Sequence, residues 1–377
     1  MANLAVVALA LALVFSAATG TTQRRPQCSC NQLPPVGCAG TLVCVPKCRC
    51  SDAALCQPLS TPPPKREVFA FFTGNWSNLD FATMTTAAAF RAIDPQLVCH
   101  AHSLGVRVVR SAPFDVTQIT NATARVAWVA SSLASVKVSG IDGLNLDIEG
   151  YKGQPAPLTA LVTELYIAMK AWNAHSQLSF DLSWSPDGQS AHYDHAALSK
   201  VLDFIVPMDY DEPWNTKVAA ANSPIGNLAK GVAQYIKAGV PAEKLVIGLP
   251  WYGWDYPCDK GTPAPGCAVV VPEGQKWLGW ATQVGYANVM KRLPAGAKPT
   301  TDAASDTKHF DYKVPTGKAK GRHSVWYDDP ETLLRKYAEC KKLGTRGVAF
   351  WTADMPDYAT NEGTQMWAAV DRGFPDL

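Results

Sequence analysis

Residues 142–151 read DGLNLDIEGY. Leu144, Leu146 and Ile148 alternate with Asn145, Asp147 and Glu149, the period of a β-strand, so one face is aliphatic and the other carries an amide and two carboxylates. Such a strand needs an apolar layer on one side. On the other it needs a reason to hold carboxylates.

Further short apolar runs follow the same logic, at Val68 to Thr73, Thr83 to Ala89, Val106 to Arg110, Leu178 to Trp184, Phe204 to Asp211, Leu245 to Tyr252 and Gly347 to Trp351. Counting Gly143 to Glu149, that makes eight strands. Between several of them lie amphipathic stretches, the clearest with Leu158, Leu161, Val162, Leu165, Tyr166, Met169 and Trp172 at helical spacing. Eight strands interleaved with helices predict an α/β fold, a (β/α)₈ TIM barrel over residues 65–377. A doubly wound open sheet is the competing architecture. A small insertion is expected after the seventh strand, at about Trp254 to Trp326, rich in Gly, Pro and Lys, with Cys258 and Cys267 close enough in sequence to pair.

In a barrel the outward side chains meet helices, so Leu144, Leu146 and Ile148 point out and Asn145, Asp147 and Glu149 point in. Barrel interiors are normally filled by aliphatic side chains, and an unpaired buried carboxylate is costly. Glu149 comes last, at the C-terminal end of its strand, where barrel enzymes keep their active sites. Two carboxyls this close cannot both ionise freely. A protonated Glu149 beside Asp147 is a general acid.

The chain has 377 residues, 47% hydrophobic and 18% charged, with a formal net charge of +2 and no long like-charge run. Nothing in that balance favours nucleic acid as a partner. Residues 4–18 form an apolar run followed by small residues, read as a signal peptide over 1–20 that leaves no membrane contact once cleaved. Seven of eleven cysteines fall between Cys28 and Cys56, so residues 21–64 are a disulfide-stapled segment ending in the stiff linker STPPPK at Ser60 to Lys65. With little apolar content, that segment takes its order from disulfides or docking. An odd cysteine count leaves at least one thiol free or shared. Asn75 and Asn121 open glycosylation triplets, and the secretory route implies an extracellular or lysosomal destination. The histidines at HAH (His100, His102) and HYDH (His192, His195) lack a zinc-protease arrangement, and there is no phosphate-binding or serine-hydrolase motif. They read as surface or structural, with His102 part of a helix C-terminus.

The string D-G-x-N-x-D-x-E over Asp142 to Glu149 resembles the signature of the glycoside hydrolase family 18 chitinases, with Asn145 standing where that family has its first carboxylate. CRCSDAALC from Cys48, CHAHSLGVRVV from Cys99, PMDYDE from Pro207 and LPWYGWDYPC from Leu249 are similar to a lysosomal branch of the same family. The resemblance implies a glycosidase without cofactor or metal, acting on GlcNAc-containing oligosaccharides, with the substrate's own N-acetyl oxygen as nucleophile. Glu149 would be the general acid and base, Asp147 would orient the acetamido group, and Tyr210 would donate to its oxygen. Trp351 would floor the sugar site, with Asp211, Met208, Asn145 and Trp184 as further substrate contacts. Asn145 would also donate a hydrogen bond to Asp147. Three functions follow: removal of GlcNAc from the reducing end of small β-1,4-linked oligosaccharides such as the chitobiose core of N-glycans, endo-chitinase action on polymer, or a chitin-binding lectin without catalysis. Cleft depth, disulfide pairing and oligomeric state are not encoded in any motif.

Overall fold

The computed structural model describes residues 53–212, 217–259, 266–270, 281–317 and 320–375. The expected signal peptide and most of the Cys-rich segment lie outside these residues. Thirteen strands occur among them. They are β1 (Glu67–Phe72), β2 (Thr86–Ala89), β3 (Arg107–Ala112), β4 (Gly143–Asp147), β5 (Gln177–Ser183), β6 (Phe204–Met208), β7 (Val246–Pro250), β8 (Tyr252–Cys258), β9 (Thr282–Gly285), β10 (Thr300–Asp302), β11 (Thr307–Val314), β12 (Gly321–Tyr327) and β13 (Gly347–Trp351).

Strands β1 to β7 and β13 close into a parallel barrel in the order β1-β13-β7-β6-β5-β4-β3-β2, which excludes the open sheet. Leu144, Leu146 and Ile148 are buried in the layer between barrel and helices, together with Leu158, Leu161, Val162 and Leu165 of the helix Pro155–Trp172. The interior holds a second apolar cluster, Phe69, Phe71, Ala88, Val109, Phe204, Val206, Val246 and Ala349. Neither β4 nor β5 contributes to it. Their inward positions are polar instead, and that half of the barrel is where chemistry is concentrated. Gly143 is required here, because a Cβ at that position would stand 1.8 Å from the Gln177 carbonyl oxygen on β5.

Three strand ends depart from the expected spans for local reasons. The chain turns at Asp80 to Thr83, where Asp80 accepts from the Ala82 and Thr83 amides, so β2 begins only at Thr86. The run Leu245 to Tyr252 divides at Trp251 into β7 and β8. β6 stops at Met208, and Asp211 takes a left-handed backbone with φ 56°.

Strands β8 to β12 form an antiparallel sheet of order β10-β11-β12-β8-β9, inserted after β7, and the Cys258–Cys267 disulfide is anchored at the end of β8. Cys340 is a free thiol and is buried. Asn75 and Asn121 are both exposed, and Asn121 also caps the helix Ala122–Ser139 through the Ala124 amide. No helix among the described residues is long and apolar enough to cross a membrane.

Candidate active site

Strand β4 ends at Asp147, which is half-buried, and Glu149 stands two residues beyond it, exposed at the barrel mouth. The alternation continues past the strand end, because Ile148 is still buried on the outer face. Glu149 and Asp147 share a side-chain hydrogen bond. Burial raises both pKa values, and Glu149 is raised further by the charges of Asp147 and Asp211 and by its hydrogen bond to Asp147, whereas the same bond lowers Asp147. Of the two, Glu149 is thus the group that the site favours holding a proton, with Asp147 as its acceptor. No cation lies within ion-pair distance of either group among the described residues.

The inward face of β6 runs Phe204, Val206 and Met208, and the same parity carries Tyr210 to the mouth. Gly248 on β7 makes room for it, since a Cβ there would sit 3.3 Å from Tyr210 Cε1. Burial keeps the Tyr210 hydroxyl well above its ordinary pKa, with further contributions from Asp181, Asp211, Asp147 and Glu149, so it is an O–H donor. Asp211 Oδ1 accepts from the Tyr252 hydroxyl at 2.6 Å and from Trp254 Nε1 at 3.0 Å, while its amide donates to Asn222 Oδ1 at 2.8 Å. These bonds hold the left-handed residue and join the inserted sheet to the mouth. Trp351, at the end of β13, is half-buried against Phe71 and Phe90 with ring centroids 5.3 and 4.8 Å away. Its ring caps the apolar interior at the same mouth.

The structure does not bring two other expected contacts to the surface of the site. Trp184 follows Leu178, Phe180 and Leu182 in parity and so lies on the outer side of β5. Lys230 Nζ sits 5.8 Å from its ring centroid, and a Cβ at Gly231 would meet its carbonyl, so it packs on the helix Ile225–Lys237. Asn145 is fully buried, and its Nδ2 donates to Asp181 Oδ2 at 2.5 Å, not to Asp147, while its Oδ1 accepts from Ser179 Oγ at 2.6 Å. Asn145 pairs in register with Ser179 and Asp147 with Asp181, so the amide reaches Asp181 diagonally across to the neighbouring strand. Asp181 is a further polar residue of this site that the motifs did not single out. Its signal was present in the alternation of Ser179, Asp181 and Ser183 with Leu178, Phe180 and Leu182.

A second charged cluster closes the opposite end of the barrel. Asp142 Oδ2 accepts from His102 Nε2 at 2.9 Å and from the Val108 amide at 2.7 Å, and its Oδ1 accepts from the Leu59 amide at 2.7 Å. Arg107 lies 3.9 Å from Asp142 and donates to the Thr61 carbonyl, and Arg346 donates to that of Pro64. His102 Nδ1 faces the Leu55 carbonyl at 2.9 Å. His102 thus does more than end its helix: it fastens the segment before β1 to the barrel base. Among the described residues no three or more His, Cys, Asp or Glu side chains are grouped to hold a metal ion.

A closed parallel barrel with paired carboxyls at the mouth of its fourth strand has the layout of a glycoside hydrolase, and residues 108–356 match the model of the glycosyl hydrolases family 18. The chain belongs to that family. It is 36% identical to di-N-acetylchitobiase of Mus musculus over 342 residues, covering 86% of this chain and 92% of that protein. With the Homo sapiens di-N-acetylchitobiase the identity is 33%, covering 86% and 88%. The fold is also that of human YKL-39, described as a pseudo-chitinase with retained chitooligosaccharide binding, with a TM-score of 0.69 at 19% identity over 82% of this chain and all of that one. The Ostrinia furnacalis Group II chitinase catalytic domain 2 gives a TM-score of 0.69 at 19% identity, over 83% of this chain and 97% of that one.

Proposed function

We propose that the chain hydrolyses β-1,4-linked GlcNAc oligosaccharides of the chitobiose type from their reducing end, by substrate-assisted retaining catalysis. The observation that carries this reading is the pair Asp147 and Glu149 at the mouth end of β4, where burial, Asp147 and Asp211 together raise the pKa of Glu149 and suit it to act as an acid. The identity to di-N-acetylchitobiases over most of both chains supports the substrate class.

The N-acetyl-bearing sugar stacks on Trp351 with Met208 beside it, and Asp211 accepts from a sugar hydroxyl. Tyr210 donates its O–H to the acetamido oxygen, and Asp147 accepts the acetamido N–H. In the first step that oxygen attacks the anomeric carbon as the bond to the leaving oxygen breaks, and Glu149 gives its proton to the departing sugar. Water then attacks the anomeric carbon of the oxazolinium intermediate, and Glu149 recovers a proton from it. Asp147 offsets the positive charge that develops on the acetamido group. The cysteine content and the N-terminal apolar run support a place on the secretory route, in a lysosome or outside the cell.

Chitotriose labelled at its reducing end, incubated from acidic to neutral pH beside Glu149→Gln, tests the reading. Labelled GlcNAc released by the wild type alone is the expected outcome. Internal cleavage of longer oligomers would replace it with endo-chitinase action. Binding without turnover by the wild type would sink the enzymatic reading and leave a lectin.

A further inference from the structure

In the free site Asp147 shares a hydrogen bond with Glu149, and its Oδ1 is buried with no partner among the described residues. That bond is lost in the first chemical step. Once Glu149 has given up its proton, two carboxylates two residues apart are both charged, at a position where burial penalises charge. The acetamido N–H supplies Asp147 with one new partner. Asp181 is the protein group placed to supply a second.

Asp181 stands directly beside it. It is register-paired with Asp147 on adjacent parallel strands, about 4.8 Å apart between backbones. It is 2% exposed, its Oδ2 is engaged by Asn145, and its Oδ1 is buried with no partner. An ionised carboxylate presents about four acceptor sites, and a single hydrogen bond in a buried position leaves it poorly satisfied. A neutral acid with its proton on Oδ1 fits the surroundings. The chain Ser179 to Asn145 to Asp181 fixes which oxygen is free. An Asn at position 145 is what such a chain requires, because it accepts from Ser179 and donates to Asp181 at once.

We propose that Asp181 is a positioning residue that remains protonated and donates a hydrogen bond from Oδ1 to Asp147 when Glu149 releases its proton. No proton is transferred between the two; the O–H of Asp181 stays intact through both steps. Burial and the nearby charges of Asp147 and Glu149 all favour the neutral form, against the opposing hydrogen bond from Asn145. The inference rests on the glycosidase reading for its kinetic consequences, though not for its central claim about protonation.

Two variants separate a neutral donor from a charge. Asp181→Asn retains a neutral donor, so turnover should fall only about threefold and the acid limb of the kcat/KM profile should stay in place. Asp181→Leu has similar size and no donor, so turnover should fall about ten- to hundredfold and the acid limb should move up by about one pH unit, as Asp147 becomes harder to ionise. If instead Asp181→Asn moves both limbs to lower pH, Asp181 carries a negative charge in the native enzyme and the proposal is wrong. An infrared difference spectrum in the Glu149→Gln background needs no turnover and no folded Leu variant. A protonated-carboxyl band near neutral pH that Asp181→Asn abolishes is the expected result, and its absence in the parent overturns the proposal. A wild type without hydrolysis would count against the glycosidase reading and leave the infrared result to decide on Asp181.

Discussion

Asp142 and Asp147 stand five residues apart at the two ends of one strand, and their surroundings are opposite. At the base, Asp142 accepts from an imidazole and two backbone amides, with a guanidinium at 3.9 Å. At the mouth, Asp147 has the Glu149 carboxyl for a partner and two further acids close by, Asp181 beside it and Asp211 acting on Glu149. Burial alone therefore does not mark a functional carboxylate. What distinguishes the mouth is that the fold supplies the burial and withholds the cations, leaving protons as the only means of neutralisation.

The largest effect should come from breaking the base. Asp142→Ala leaves His102 and Arg107 without their anion and the Leu59 amide without its acceptor, and loss of one partner of a buried pair costs about 3–5 kcal/mol. Chemical denaturation would read that loss, while turnover per folded molecule should hold. A parallel fall in turnover of the folded fraction would mean that the two ends are coupled and the division between them is false.

Asp147→Asn is the mirror experiment, and its cost should appear in kinetics. Removing one electrostatic stabiliser of a developing charge typically lowers kcat by about 10²–10³-fold. Stability should be equal or higher, because a carboxylate in a cluster of acids, with no cation within ion-pair distance, is gone. The alkaline limb should move to lower pH as well, since the Asp147 charge is one of the causes that hold the proton on Glu149. A destabilised Asp147→Asn with normal kinetics would make the mouth another structural cluster.

Tyr210→Phe sharpens the same contrast with a smaller change. The hydroxyl is proposed to act only on substrate, so its removal should lower kcat about tenfold, the value of roughly one hydrogen bond, and leave the unfolding midpoint near that of the wild type. A shift of the midpoint with no change in kcat would reassign Tyr210 to packing.

The barrel was legible in the sequence because each strand announces its own period, and β4 announced its faces residue by residue. Asp147 and Glu149 could be picked out from parity and the strand end, whereas Tyr210, Asp211 and Trp351 came from the family resemblance. Trp184 was legible too, and reading its ring as a sugar contact set aside its parity with Leu182. The partners of the polar groups were not legible, because pairing across strands depends on register, which no local pattern states. Asn145 meets Asp181 36 residues away and His102 meets Asp142 40 residues away. The base clamp was further hidden because its third member, Leu55, contributes a backbone carbonyl that leaves no mark in the side-chain pattern.

The smallest effect expected is one of pH at the base. Both ring nitrogens of His102 face acceptors, the Leu55 carbonyl and the Asp142 carboxylate, so both must donate and the imidazolium is the form that fits. Burial lowers its pKa, but the hydrogen bond to Asp142 and the charge of Asp142 outweigh it, and the pKa ends above the ordinary histidine value. A histidine raised in the folded state binds its proton more tightly there than in the unfolded chain. Its contribution is therefore fully present below the ordinary histidine value and is lost as pH rises through the folded value, at about 1.4 kcal/mol for each pH unit that separates the two. The mouth carboxylates are also raised, and their effect has the same sign but begins lower, above the ordinary carboxylate range. His102→Gln should consequently flatten the near-neutral part of the stability profile and leave the acidic part unchanged. Unfolding midpoints from about pH 5 to pH 9 would separate the two windows. Identical slopes for variant and wild type above neutrality would show that His102 is held neutral, with the Asp142 clamp resting on Arg107 and the backbone amides alone.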